Sequence, residues 1–139
     1  MSVVVTNKTR QRLNQAVIQQ AVEATLSYCR KKGEVSVVIV GQTRMKKLNL
    51  IYRGFNKTTD VLSFVEQDSL VSDKNFLGEL FIDYEVIKKQ AKKFSPSIRY
   101  ELAFIVIHGT LHLLGYDDVT EKGSKQMEIM GQAIIKKLL

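Results

Sequence analysis

Between residues 95 and 115 the chain reads SPSIRYELAFIVIHGTLHLLG, opening on serine and proline and closing on glycine. Ser95 as N-cap with Pro96 at the first helical position starts a helix, which the pattern carries to about Leu114 before Gly115 ends it. Its unbroken apolar run, Leu102 to Ile107, is far short of the ~20 residues of a membrane-spanning helix. The stretch is therefore an apolar helix inside a folded domain.

Shorter signals surround it. Ser2 to Thr6 is a β-branched run, and Lys8 to Lys32 carries Leu13, Val17, Ala21, Ala24 and Tyr28 at helical spacing, with Gly33 closing that helix. Glu34 to Val40 reads as a buried strand and Gln42 to Tyr52 as a helix ended by Gly54. Two further strands, Asp60 to Val65 and Phe76 to Asp83, are joined by a polar connection with Gln67, Asp68, Ser69, Ser72, Asp73 and Lys74. Tyr84 to Phe94 is a helix with a lysine-rich face, and Thr120 to Leu139 repeats apolar residues at Met127, Met130, Ile134 and Leu138. The order β-α-β-α-β-β-α-α-α predicts an α+β fold: a small mixed four-stranded sheet with an antiparallel edge, packed against about five helices.

At 139 residues with one proline and eight glycines, the sequence predicts a single domain over residues 1–139. The lone Cys29 allows no intrachain disulfide, which points to a reducing compartment. The N-terminal MSVVVTNKTRQR lacks an apolar signal segment, so a cytoplasmic protein with no membrane partner is expected. Twenty-one Lys and Arg against fourteen Asp and Glu give a net charge of +7, a balance that favours a polyanionic partner. Taken singly, lysine pairs such as Lys88 and Lys89 are solvated helix faces.

The apolar helix ends in HGTLHLLGYDD, residues 108–118. Residues i and i+4 share a helix face, so His108 and His112 point to one side and can hold one metal. Gly115 turns the chain three residues later and Asp118 follows after three more, the H-x3-H-x2-G-x2-ligand spacing of zincin sites. Three protein ligands with one open position suit a catalytic rather than a structural site, and carboxylate oxygen is a legitimate zinc ligand. The plainer reading is a polar turn at Asp117 and Asp118 beside two core histidines; the register of glycine and carboxylate favours the metal. Asp117 in place of Asp118 as ligand, or as a base, stays open. Gly109 stands where a hydrolytic zincin helix has glutamate, which argues against a metallopeptidase. A glycine there costs ~1 kcal/mol relative to alanine and suggests close approach of a substrate or a neighbouring backbone.

Three segments in order, LNLIYRGFNKTTDVLSF (48–64), LGELFID (77–83) and HGTLHLLGYDD (108–118), resemble the YbeY family of bacterial metal-dependent endoribonucleases. The resemblance implies ribosomal RNA maturation and quality control as the setting, with ribosomal RNA and ribosomal particles as partners and no DNA. It also implies one zinc ion on His108, His112 and the residue at 118. The family's usual third histidine is here Asp118, and Phe55, Asn56 and Thr58 stand in for its usual lysine, aspartate and proline. Arg53 becomes the functional arginine, which suits RNA because a guanidinium can clamp phosphate bidentately.

A carboxylate in place of imidazole lowers the charge of the metal centre by one unit and weakens its Lewis acidity, so another divalent metal is conceivable. Two histidines and a carboxylate also match the iron set of non-haem oxygenases. The function this resemblance implies is a single-strand-specific, zinc-dependent endoribonuclease acting on the small-subunit rRNA 3′ end; the oligomeric state is left open, with a monomer favoured. The competing expectation is a non-catalytic RNA-binding ribosome-assembly factor with a structural or degenerate metal site.

Overall fold

The computed structural model describes residues 3–66 and 75–139. Among them lie four strands and five helices: β1 (Val3–Asn7), α1 (Gln15–Tyr28), β2 (Glu34–Val40), α2 (Gln42–Arg53), β3 (Val61–Val65), β4 (Phe76–Asp83), α3 (Tyr84–Phe94), α4 (Ile98–Leu113) and α5 (Glu121–Leu138). The polar connection expected from Gln67 to Lys74 falls outside the described residues.

The strands form one sheet in the order β1-β2-β4-β3. β1, β2 and β4 run parallel, while β3 pairs antiparallel with β4 at the edge, so the α+β expectation with its antiparallel edge holds. A parallel pair requires a crossover, which α1 supplies between β1 and β2. Being central, β2 is covered on both faces, which explains its near-continuous valine run. Val35, Val37 and Ile39 pack with α1 and α4; Val38 and Val40 pack with Met45 of α2 and Leu62 of β3.

Helix α4 is the centre of the molecule, in contact with α1, α3, α5 and two strands. Ile107 and Leu111 are fully buried, and each such side chain contributes roughly 1.5 to 3 kcal/mol through removal from water. Gly109 faces the sheet, where a Cβ would lie 3.0 Å from Leu80 Cδ2 and 3.3 Å from Val61 Cγ2. Its missing side chain thus lets the helix settle on β3 and β4; the close approach is to sheet side chains, not to substrate or backbone. The Ser63 hydroxyl adds a 3.3 Å hydrogen bond to the Gly109 carbonyl.

Three element boundaries differ from the sequence reading by more than one residue. Helix α1 starts at Gln15 rather than near Lys8, because the Asn14 side chain caps Ala16 and Val17. The Asn7 side chain meanwhile holds Thr9 in a turn. That helix also ends at Tyr28, the chain reversing at Arg30 (φ 54°). Gly33 instead enters β2 against Leu77 and the Asn75 carbonyl, which a Cβ would approach to 2.7 Å. Finally, Ser97 rather than Ser95 caps α4, accepting from the Tyr100 amide at 3.0 Å. Ser95 is extended, as a residue before proline prefers, and its amide closes α3 on the Ala91 carbonyl.

Candidate metal centre and cleft

The histidines of α4 meet as their spacing requires. His108 Nε2 and His112 Nε2 lie 3.1 Å apart, and two nitrogens on a tetrahedral zinc at about 2.0 to 2.1 Å would lie roughly 3.3 to 3.4 Å apart. The turn behind them is a Schellman motif: the Gly115 amide donates to His112 O and the Tyr116 amide to Leu111 O. Gly115 sits at φ 100°, a region that disfavours any residue with a Cβ. This turn delivers the Asp118 carboxylate to 3.7 Å from His108 Nε2. One donor atom from each of His108, His112 and Asp118 lies within 4.8 Å of the others.

Protonation states suit metal binding. His112 Nδ1 lies 3.0 Å from the Tyr116 carbonyl, which only accepts, so the ring proton resides on Nδ1 and the Nε2 lone pair faces His108. Burial pushes the His108 pKa below the ordinary imidazole range, with His112 adding to the effect and Asp118 and Asp60 opposing it. A neutral imidazole is the form that ligates. The donor chemistry of two nitrogens and a carboxylate, converging with one side half-exposed, fits a divalent cation with an open position.

The geometry also separates the two aspartates. Asp117 Oδ1 accepts from the Val119 amide at 3.1 Å, the local turn that aspartate commonly makes. Its carboxylate is thereby engaged in the loop, and Asp118 is the one that joins the histidines.

These groups line one wall of a cleft of about 910 Å³. The same cleft is lined by β3, by Asp60 just before it and by the end of α2, with Tyr52, Arg53 and Phe64. Phe64 is wedged edge-on between Tyr52 and Phe81, at centroid distances of 4.8 and 5.5 Å. Arg53 is exposed and forms no ion pair among the described residues; its guanidinium lies 5.5 Å from the Phe55 ring centroid. All four residues singled out from sequence, Arg53, His108, His112 and Asp118, therefore border the same space. Sequence reasoning missed two contributors. Asp60 lies in the TTDVLSF segment, where its acidity was a usable signal; the Tyr116 carbonyl is main chain and leaves no residue-type signal.

Residues 3–139 match the family described as "Endoribonuclease YbeY". The chain belongs to the YbeY family of endoribonucleases. Among curated YbeY endoribonucleases, that of Thermodesulfovibrio yellowstonii is 41% identical over 75% of this chain and 66% of its own length. The Roseiflexus protein is 42% identical over 76% and 71%, and that of Heliobacterium modesticaldum 30% identical over 88% and 81%. The alignment to the first thus spans slightly less than two thirds of that relative. A solution structure of TM1509 from Thermotoga maritima shares the fold, with a TM-score of 0.67 and 24% identity over 98% of this chain and 88% of the other. YbeY membership accounts for the three matching segments: 48–64 on α2 and β3 and 108–118 on α4 and its turn both line the cleft, while 77–83 on β4 packs beneath Gly109.

Proposed function

We propose that this protein is a zinc-dependent endoribonuclease that cuts single-stranded segments of ribosomal RNA precursors in the cytoplasm, at the 3′ end of the small-subunit RNA, in a maturation and quality-control role. The observation that carries the reading is the shared cleft, lined by three convergent metal donors and by Arg53, which forms no ion pair among the described residues. His108, His112 and Asp118 would hold a divalent cation, which would supply Lewis-acid chemistry and a more acidic water.

The protein's own groups do the rest. Arg53 binds the phosphate through paired N–H donors and stabilises charge developing on its oxygens. The Tyr116 carbonyl holds the His112 ring in one orientation and one tautomer. The +7 net charge draws RNA to the surface. Glutamate-based peptide hydrolysis has no place here, because position 109 is a glycine packed against Leu80 and Val61, with no side chain to take a proton.

The test is cleavage of a single-stranded fragment of precursor rRNA. A chelator and His112→Ala should each abolish cleavage while RNA binding persists, and Arg53→Ala should slow it by about 10² to 10³-fold, the cost of losing a charge-stabilising donor. Cleavage that survives in His112→Ala would contradict the reading. Undiminished RNA binding by a wild-type protein that never cuts would instead support the ribosome-assembly factor.

A further inference from the structure

A second cleft of about 460 Å³ adjoins the first and shares Arg53, Thr59 and Asp60 with it. Phe55 lines this second cleft and is 49% exposed. Two cations flank it, with Arg53 Cζ and Lys57 Nζ each 5.5 Å from the ring centroid. Neither cation is paired with a carboxylate among the described residues.

The ring's exposure does not come from a loose loop. Gly54 turns left-handed at φ 78° to end α2, and its amide and that of Phe55 bond back to Leu50 O and Asn49 O. The buried Asn49 side chain donates to Lys57 O at 2.8 Å. Thr58 donates to the buried Asp83 carboxylate at 2.6 Å, and the Asp83 amide bonds Asp60 O at 3.0 Å. The segment is thus fastened at each end and in its middle while it presents Phe55 outward.

We propose that Phe55, between Arg53 and Lys57, is a stacking platform for an unpaired nucleobase of single-stranded RNA. It would take the nucleotide adjoining the one whose phosphate Arg53 holds; this placement rests on the ribonuclease reading above. An aromatic face accepts any base, while flanking cations neutralise the phosphates on either side. A duplex keeps its bases stacked on one another and offers none to the ring, so the subsite selects single strands.

Binding by itself provides the test, with fluorescence-labelled RNA of about ten nucleotides, single-stranded or as a matched duplex. Phe55→Ala should weaken single-strand binding roughly tenfold, within the range that loss of one stacked base produces, and leave duplex binding unchanged. In cleavage assays the loss should appear in KM rather than kcat. The chain contains no tryptophan, so Phe55→Trp places a single reporter at the site. Its emission should fall on binding single-stranded RNA, and its affinity should match wild type. Should Phe55→Ala fail to fold, Phe55→Trp carries the test alone. Wild-type affinity in Phe55→Ala, equal losses for single strand and duplex, or a tryptophan silent to RNA would overturn the proposal. A wild type that binds but never cuts, yet weakens in Phe55→Ala, would sink the ribonuclease reading and keep the platform.

Discussion

The two halves of the candidate metal centre are built differently. His108 and His112 ride on α4, whose neighbouring Ile107 and Leu111 are fully buried, so the core fixes where their rings point. Asp118 stands on a surface turn, its side chain 50% exposed against 31% for His108, and its position depends on one left-handed glycine and two amide hydrogen bonds. Packing thus preorganises two donors, whereas local turn chemistry delivers the third. Metal affinity should rest mainly on the helix, and metal choice on the turn.

Four measurements bear on this contrast. His112→Ala should have the largest effect, lowering zinc affinity by more than about a hundredfold, the upper end of what changes outside the ligand set cost; competition against a chelating dye reads this directly. Asp118→Ala should cost less, about ten- to a hundredfold in the same assay, because water can reach the vacated position. If the two losses proved equal, the contrast between helix and turn would be wrong.

Gly115→Ala should destabilise the fold by about 1 to 2 kcal/mol, since a Cβ at positive φ is strained, and weaken metal binding by displacing Asp118. Urea unfolding with a parallel metal titration would show whether both fall together; unchanged metal affinity in a destabilised variant would separate turn from site. The smallest effect is on pH dependence. The fold lowers the His108 pKa from its ordinary 6.5, chiefly by burial, so it favours the neutral ring. Stability of the metal-free protein should therefore be flat above about pH 6.5 and decline as pH falls below it toward the depressed folded value. An NMR titration placing His108 above 6.5 would contradict the burial argument.

Much of this was readable from sequence because the signals were local. β4 and α3 have the expected bounds, Phe76–Asp83 and Tyr84–Phe94, as alternation gives way to helical spacing at a capping aspartate. The histidine pair was readable because i and i+4 share a face whatever the tertiary context. Less was readable where two signals of one kind compete. Ser95 and Ser97 both suit an N-cap, and Gly33 suits a helix end as well as a strand entry; neighbours in space, Ala91 and Asn75, decide between them. Arg53 was legible only through family resemblance, because it reaches the cleft from the end of α2 by tertiary packing that no short-range pattern encodes, and Asp60, just before β3, was not read at all.

The most direct test of the central claim is metal content by mass spectrometry, on protein purified without a metal-affinity tag, for wild type, His112→Ala, Asp118→Ala and Asp118→His. The account predicts near-stoichiometric zinc in wild type, loss in both alanine variants and retention in Asp118→His. A metal-free wild type that gains zinc only in Asp118→His would contradict it, leaving a degenerate site and the RNA-binding assembly factor as the reading of this fold.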